Sequence, residues 1–124
     1  GSYYTVVGLT EAGRAAEELI IPYQVDGIYV KSFLPVVFFD DKNLKSITIQ
    51  ENIHTISNGS FLGCDNLERI VLRHIEPSEI SVGYELLSGV PGTCRIYVPK
   101  SALSEFENNY FWGRYAKQTE GYTE

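Results

Sequence analysis

The sequence predicts a β-rich repeat solenoid, built from short parallel strands that recur every 23 residues. Three observations carry this. First, Asn43-Leu44-Lys45-Ser46-Ile47-Thr48-Ile49 returns as Asn66-Leu67-Glu68-Arg69-Ile70-Val71-Leu72, each residue 23 positions on. Second, the same offset reaches backwards: Val30 falls on Ile53, Phe33 on Ile56, Phe38 on Phe61 and Asp41 on Cys64. Third, Leu19 and Ile21 before Pro22, and Ile96 and Val98 before Pro99, look like an earlier and a later Ile47/Ile49 pair, at spacings of 28 and 26. A fixed period in the twenties marks units that cannot bury their apolar side alone and must stack. We count four rungs. The extra residues fall near Asp26-Gly27 or Pro35 in the first interval. In the last they fall at Glu76-Pro77-Ser78 or within residues 88–92. Such insertions belong at the corners of a stack, where they leave it undisturbed.

Each stretch then takes its place in order. Tyr3-Tyr4-Thr5-Val6-Val7-Gly8-Leu9 alternates apolar with β-branched residues. It predicts a strand lying over the first rung and covering its open edge, as the terminal unit of a stack must. Residues 10–18 are rich in Ala and Glu. They predict one helical turn or a mobile hairpin loop, with Gly13 weakening the helix. Leu19 begins rung one, and Asp26-Gly27 signals a turn. Within a rung Ile47 and Ile49 point inward and Thr48 outward, because side chains alternate along a strand. Ile53, Ile56 and Phe61 fill the interior from the opposite side, between turns at Asn52, Asn58-Gly59 and Asp65-Asn66. Pro99 ends the last strand. Ser101 is the expected N-cap of a helix on which Leu103 and Phe106 share a face, and Asn108-Asn109 stops it. The aromatic run from Tyr110 to Tyr115 is expected to shield the last rung, and polar residues 118–124 to fray. One domain is expected over 1–124, with an N-terminal cap at 1–18, repeats at 19–99, a helical cap at 100–117 and a tail at 118–124.

Leu44, Ile47, Ile49, Ile53, Ile56, Phe61, Gly63, Cys64 and Leu67 follow the pattern L-x-x-I-x-I…I-x-x-I…F-x-G-C-x-x-L. The chain thereby resembles the BspA-type leucine-rich repeats of bacterial surface proteins. The run from Ile21 through Asp26-Gly27 to Phe33, and Cys94-Arg95-Ile96-Tyr97-Val98-Pro99-Lys100, are similar to that family's first and last rungs. The resemblance covers roughly residues 19–116. It implies a leucine-rich-repeat solenoid, a non-enzymatic interaction or adhesion role, and a secreted or surface-anchored location. Two departures stand out: Asp41 where the repeat would have Cys, and an irregular third rung at residues 75–93.

Composition narrows the functional classes. Sixteen acidic against 10 basic side chains give a formal net charge of −6, which argues against a nucleic-acid binder with its net basic face. No apolar run approaches the ~20 residues that cross a bilayer, so membrane insertion is not expected. The most apolar stretch, residues 34–39, is broken by Pro35 and ended by Asp40-Asp41. Gly1-Ser2 has the look of a cloning scar, so a removed signal peptide or anchor would leave no trace here. Cys64 precedes Leu67 by three positions, while Cys94 lies at or beside the Leu67 position of the last rung. Stacked strands are ~4.8 Å apart and the turn separates the two further, so two buried free thiols are favoured over a bridge.

Candidate chemistry is sparse. His54 and His74 fall on outward or turn positions, and no His/Cys/Asp cluster has the spacing of a metal site. A nucleophilic pair of Cys64 with either histidine is conceivable but disfavoured, since the resemblance puts Cys64 on the interior side of a turn. Gly89-Val90-Pro91-Gly92 lacks the Lys of a phosphate loop. Asp40-Asp41 and Glu17-Glu18 lack the alternating ligands of a calcium loop. No cofactor is expected.

The outward side of the predicted sheet is more informative. Aligned rungs place Ile20, Thr48, Val71 and Tyr97 in one row, with Ser46, Arg69 and Arg95 on one side of it and Gln50, Arg73 and Pro99 on the other. Arg and Tyr are enriched at interface hot spots, so Arg69, Arg73, Arg95, Tyr97, Thr48 and Val71 form a candidate binding face for an acidic partner. The plainer alternative is that Glu68 or Glu76 neutralises the arginines. Tyr3, Tyr4, Tyr23 and Tyr29 near the first rung suggest either cap packing, which is favoured, or an aromatic platform for a glycan. The expected partner is a protein, from the host or a bacterial surface. A carbohydrate-binding module and a structural spacer in a longer surface protein stand as alternatives.

Overall fold

In the computed structural model the described residues are 2–83 and 85–123. Gly1 of the supposed scar, Tyr84 of the irregular rung and Glu124 of the expected tail lie outside them. The strands are β1 (Tyr4–Val6), β2 (Glu18–Ile20), β3 (Gln24–Val25), β4 (Ile28–Phe33), β5 (Ser46–Ile49), β6 (Thr55–Ile56), β7 (Arg69–Leu72), β8 (Ser81–Val82), β9 (Arg95–Pro99) and β10 (Thr119–Tyr122). Two short helices, α1 (Glu11–Ala15) and α2 (Leu103–Asn108), join them, with 3-10 turns at Pro35–Phe38, Pro77–Glu79, Lys100–Ala102 and Trp112–Gln118.

The two matching heptapeptides lie side by side. Ile47 pairs with Ile70 and Ile49 with Leu72, and the sheet runs β10-β9-β7-β5-β2 with every pair parallel. Alternation puts Ile47, Ile49, Ile70, Leu72, Ile96 and Val98 fully inside and leaves the residues between them half-exposed. Parallel sheets are ordinarily covered on both faces; this one keeps a face open. From the opposite side Ile53, Ile56 and Phe61 complete the core, and β6 pairs in parallel with β8.

The recurring Asn has a bonding reason. Asn66 Nδ2 donates to the Lys42 carbonyl at 2.6 Å and Asn43 Nδ2 to that of Arg14 at 2.9 Å, so each ties its turn to the preceding rung. At the odd position, Asp41 Oδ1 accepts from the N–H of Asn43 and of Leu44, whereas Cys64 sends its thiol to the Phe38 carbonyl at 3.0 Å. A carboxylate and a thiol thus fasten the same corner in two ways.

The register also locates the insertions. Ile49 pairs with Leu72 at the regular offset of 23, but Thr55 pairs with Ser81 at 26. The three added residues therefore lie at Glu76-Pro77-Ser78 and not at 88–92. In the first interval the surplus forms the β3–β4 hairpin, whose tip at Asp26 and Gly27 has φ of 51° and 79°, the left-handed region favoured at such two-residue turns.

The N-terminal strand does lie over the first rung, on its return side: β1 pairs with β4 in a separate sheet of order β1-β4-β3, and β2 is the outer strand of the five-stranded sheet. Other expectations need correction. Residues 10–18 hold a helical turn, with Thr10 Oγ1 accepting from Gly13 N. Ser101 is not the N-cap: the 3-10 turn Lys100–Ala102 leads into α2, and Ala102 occupies the cap position. Residues 119–122 do not fray. They form β10, with Thr119 beside Ile96, again 23 positions on. Residues 100–122 thus span one repeat length, with helical turns ahead of β10, and Phe106, Phe111 and Trp112 bury their rings against the last rung. Tyr110 does not join them; it is 93% exposed.

Candidate functional site

The open face of the five-stranded sheet carries the predicted residues in their predicted rows. Ile20, Thr48, Val71 and Tyr97 are partners across β2, β5, β7 and β9, and Ser46, Arg69 and Arg95 form the adjoining row. A shallow depression of about 470 Å³ is lined by Thr48, Arg69, Val71, Arg73 and Tyr97, joined by Tyr122 and Thr123. Five of the six predicted residues line it. Arg95 stands outside this lining, held by Glu120 at 2.7 Å and by the Lys117 carbonyl at 3.3 Å.

Two adjacent arginines on one face repel unless counter-charges separate them. Arg69 leans toward Glu18 (3.7 Å) and Glu68 (3.5 Å), while Arg95 leans the other way to Glu120. The Glu120 bond raises the Arg95 pKa further above its ordinary value. Neutralisation therefore operates for these two, through Glu68 as anticipated and through Glu18 and Glu120, which were not. Among the described residues Glu76 pairs with neither arginine. Pairs this exposed are weak, so an incoming carboxylate can displace them.

Arg73 differs. Its guanidinium lies 5.3 Å over the Tyr122 ring, and Nη1 reaches the Tyr122 hydroxyl at 3.5 Å. It pairs with no carboxylate among the described residues. Tyr122 is fixed in turn, because its hydroxyl donates to the Leu72 carbonyl at 2.9 Å. The result is a cation stacked on an aromatic ring in a depression that Val71 and Tyr97 also line. Sequence reasoning missed Tyr122 and Thr123 by assigning them to a tail. The signal that points to them is the 23-residue step from Ile96 to Thr119.

The remaining candidates separate on burial. His54 lies at the surface with Nδ1 on the Glu79 carbonyl at 2.9 Å. His74 is not outward but fully buried, its Nε2 on the Ile53 carbonyl at 2.7 Å, and burial lowers its pKa. Both cysteines are buried and free, with their thiols pushed up to about 11 (Cys64) and about 12 (Cys94) by burial, far from the thiolate a nucleophile needs. Among the described residues no three His, Cys, Asp or Glu side chains gather as a metal site would require. Among the described residues no helix is long and apolar enough to cross a membrane.

The tyrosines near the first rung are not packed into the cap. Tyr3, Tyr4, Tyr23 and Tyr29 are 57%, 42%, 39% and 44% exposed. Tyr23 and Tyr29 meet edge to face at 5.3 Å, and Lys31 Nζ stands 6.0 Å over Tyr3. Tyr23 directly precedes β3 and Tyr29 lies in β4, so these two flank the hairpin that lengthens the first interval.

Compared with known proteins, residues 32–119 match the family model described as BspA type leucine rich repeat region, in six copies. No curated protein matches the chain.

Proposed function

The chain belongs to the BspA-type leucine-rich repeat family, and from that premise we propose that it is a non-enzymatic module that binds a protein partner through the open face of its five-stranded sheet. The finer architecture we read as a short solenoid, with a strand cap at one end and a helical cap at the other. Arg73, stacked on Tyr122 and paired with no acid among the described residues, is the observation that carries the docking surface. Arg69, Tyr97, Thr48 and Val71 line the same depression, and Arg95 stands beside Arg69 on the next strand. The partner chemistry that fits is an acidic segment whose carboxylates reach the arginines and whose apolar groups lie on Val71 and Tyr97. A rigid sheet presents these groups at fixed spacing, so little ordering entropy opposes association. On family grounds we place the protein at a bacterial surface or outside the cell, as an adhesion module.

The test titrates the intact chain with Glu-rich peptides and matched Lys-rich peptides, following backbone amide shifts. Acidic peptides should perturb β5, β7 and β9, and Arg73→Ala with Tyr97→Ala should abolish the effect. Equal binding of both charge types, or shifts confined elsewhere, overturns the proposal. A second reading rests on the exposed tyrosines beside the hairpin: glycan binding by ring stacking, which quenching of tyrosine fluorescence by oligosaccharides would detect. A spacer role predicts that neither ligand binds.

A further inference from the structure

The two sides of the stack end differently. On the open face the sheet runs on past β9 to β10, but on the opposite side the paired strands stop at β8. Where a further return strand would lie beside β8, the chain makes α2 and the turns around it. A cleft of about 290 Å³ remains there, with Ile80, Ser81 and Val82 on one wall and Tyr110, Phe111 and Trp112 on the other.

The backbone of β8 is half used. Ser81 N donates to the His54 carbonyl and Gly83 N to that of Ile56, each at 2.8 Å. Alternation turns the N–H and C=O of Val82 away from β6, toward the cleft that Val82 lines. No described residue takes them up. Unpaired strand groups beside an aromatic wall are the recognition elements of strand addition: main-chain bonds supply affinity and pockets for alternate side chains supply selectivity. Tyr110, 93% exposed at the rim, is a large ring with nothing yet to cover.

We propose that β8 accepts an extended peptide of a partner protein as an added strand, seated between Val82 and the Tyr110–Trp112 wall. The occupant is identified by chemistry. An extended main chain supplies the acceptor for the Val82 N–H and the donor for its C=O at strand spacing, and the adjoining Ile80 and Phe111 suit an apolar side chain on alternate residues. A net charge of −6 opposes a second copy of the same chain. This site lies on the opposite side from the arginine face and does not depend on it.

The experiment selects displayed short random peptides against the intact chain. The winners are then synthesised in forms N-methylated at single backbone amides. Bound peptide should slow Val82 N–H exchange roughly tenfold or more. Methylation should abolish binding at the peptide amide that donates to the Val82 carbonyl and be tolerated at the amides on either side of it. Tyr110→Ala should weaken binding roughly fivefold, with the fold intact because this ring is exposed, whereas Arg73→Ala should change nothing. Failure to enrich any peptide, protection elsewhere than β8, or indifference to the position of methylation overturns the proposal. So does self-association of the free chain that slows Val82 exchange, which would assign the cleft to a second copy.

Discussion

Phe61→Ala tests whether the stack is one cooperative body. Phe61 is fully buried, its ring 5.9 Å from Phe38 and 6.4 Å from Phe33, so truncation empties a site bounded by two rungs. A buried Phe→Ala change costs roughly 3–5 kcal/mol. Against a typical total of about 5–15 kcal/mol, that is a large share. Unfolding entropy of roughly 2.1 cal/mol/K per residue over 124 residues comes to roughly 0.26 kcal/mol/K. A loss of ~4 kcal/mol then lowers Tm by ~15 °C. Urea titration should be followed by circular dichroism, which reports the sheet, and by emission of Trp112, buried in the C-terminal cap. Both midpoints should fall together with an unchanged slope. Leu62→Ala next door, where the side chain is 41% exposed, serves as the control and should cost little. A Phe61→Ala loss below about 1.5 kcal/mol, or a Trp112 transition left at its original midpoint, refutes the cooperative stack.

Three further predictions concern particular groups. Burial lowers the His74 pKa from 6.5, so the unfolded chain binds the proton more readily and stability rises with pH across this window. The contribution is complete above the ordinary histidine value and is lost as pH falls toward the folded one; His74→Asn should flatten that dependence, and an unchanged slope defeats the assignment. With their pKa values held near 11 and 12 by burial, Cys64 and Cys94 should resist iodoacetamide at neutral pH in the folded chain and both react in urea; rapid labelling without denaturant contradicts this. Ending the chain after Gln118 removes β10 and with it the Tyr122 bond to Leu72; lost strand hydrogen bonds should cost about 1–3 kcal/mol by urea titration, and an unchanged midpoint would return these residues to the status of a tail.

What could be read in the sequence was what the repeat dictates. Ile47 and Ile70 share an environment because each fills the same layer of the core, so their spacing announces their pairing, and Arg69 beside Arg95 follows from it. β10 escaped because its inward positions, opposite Ile96 and Val98, are a threonine and a glycine. Gly121 pairs with Val98, and a Cβ there would sit 2.9 Å from Lys100 Cα, so the strand carries no aliphatic signal. His74 escaped for another reason. The chain turns inward directly after β7, and its imidazole finds the Ile53 carbonyl, a contact made by three-dimensional folding and invisible to alternation. The acids that relieve the arginine row, Glu18 and Glu120, lie on the outer strands of the sheet, at sequence separations no local pattern reveals.

The two places where the repeat length changes, the Asp26-Gly27 hairpin and the Pro77–Glu79 turn, leave the ladder from Ile47 to Ile96 in register. Length at these corners is thus mechanically uncoupled from the interior. Such a chassis can diversify by growing its corners, and a foreign epitope grafted at Asp26-Gly27 would be displayed without disturbing the beams that support it.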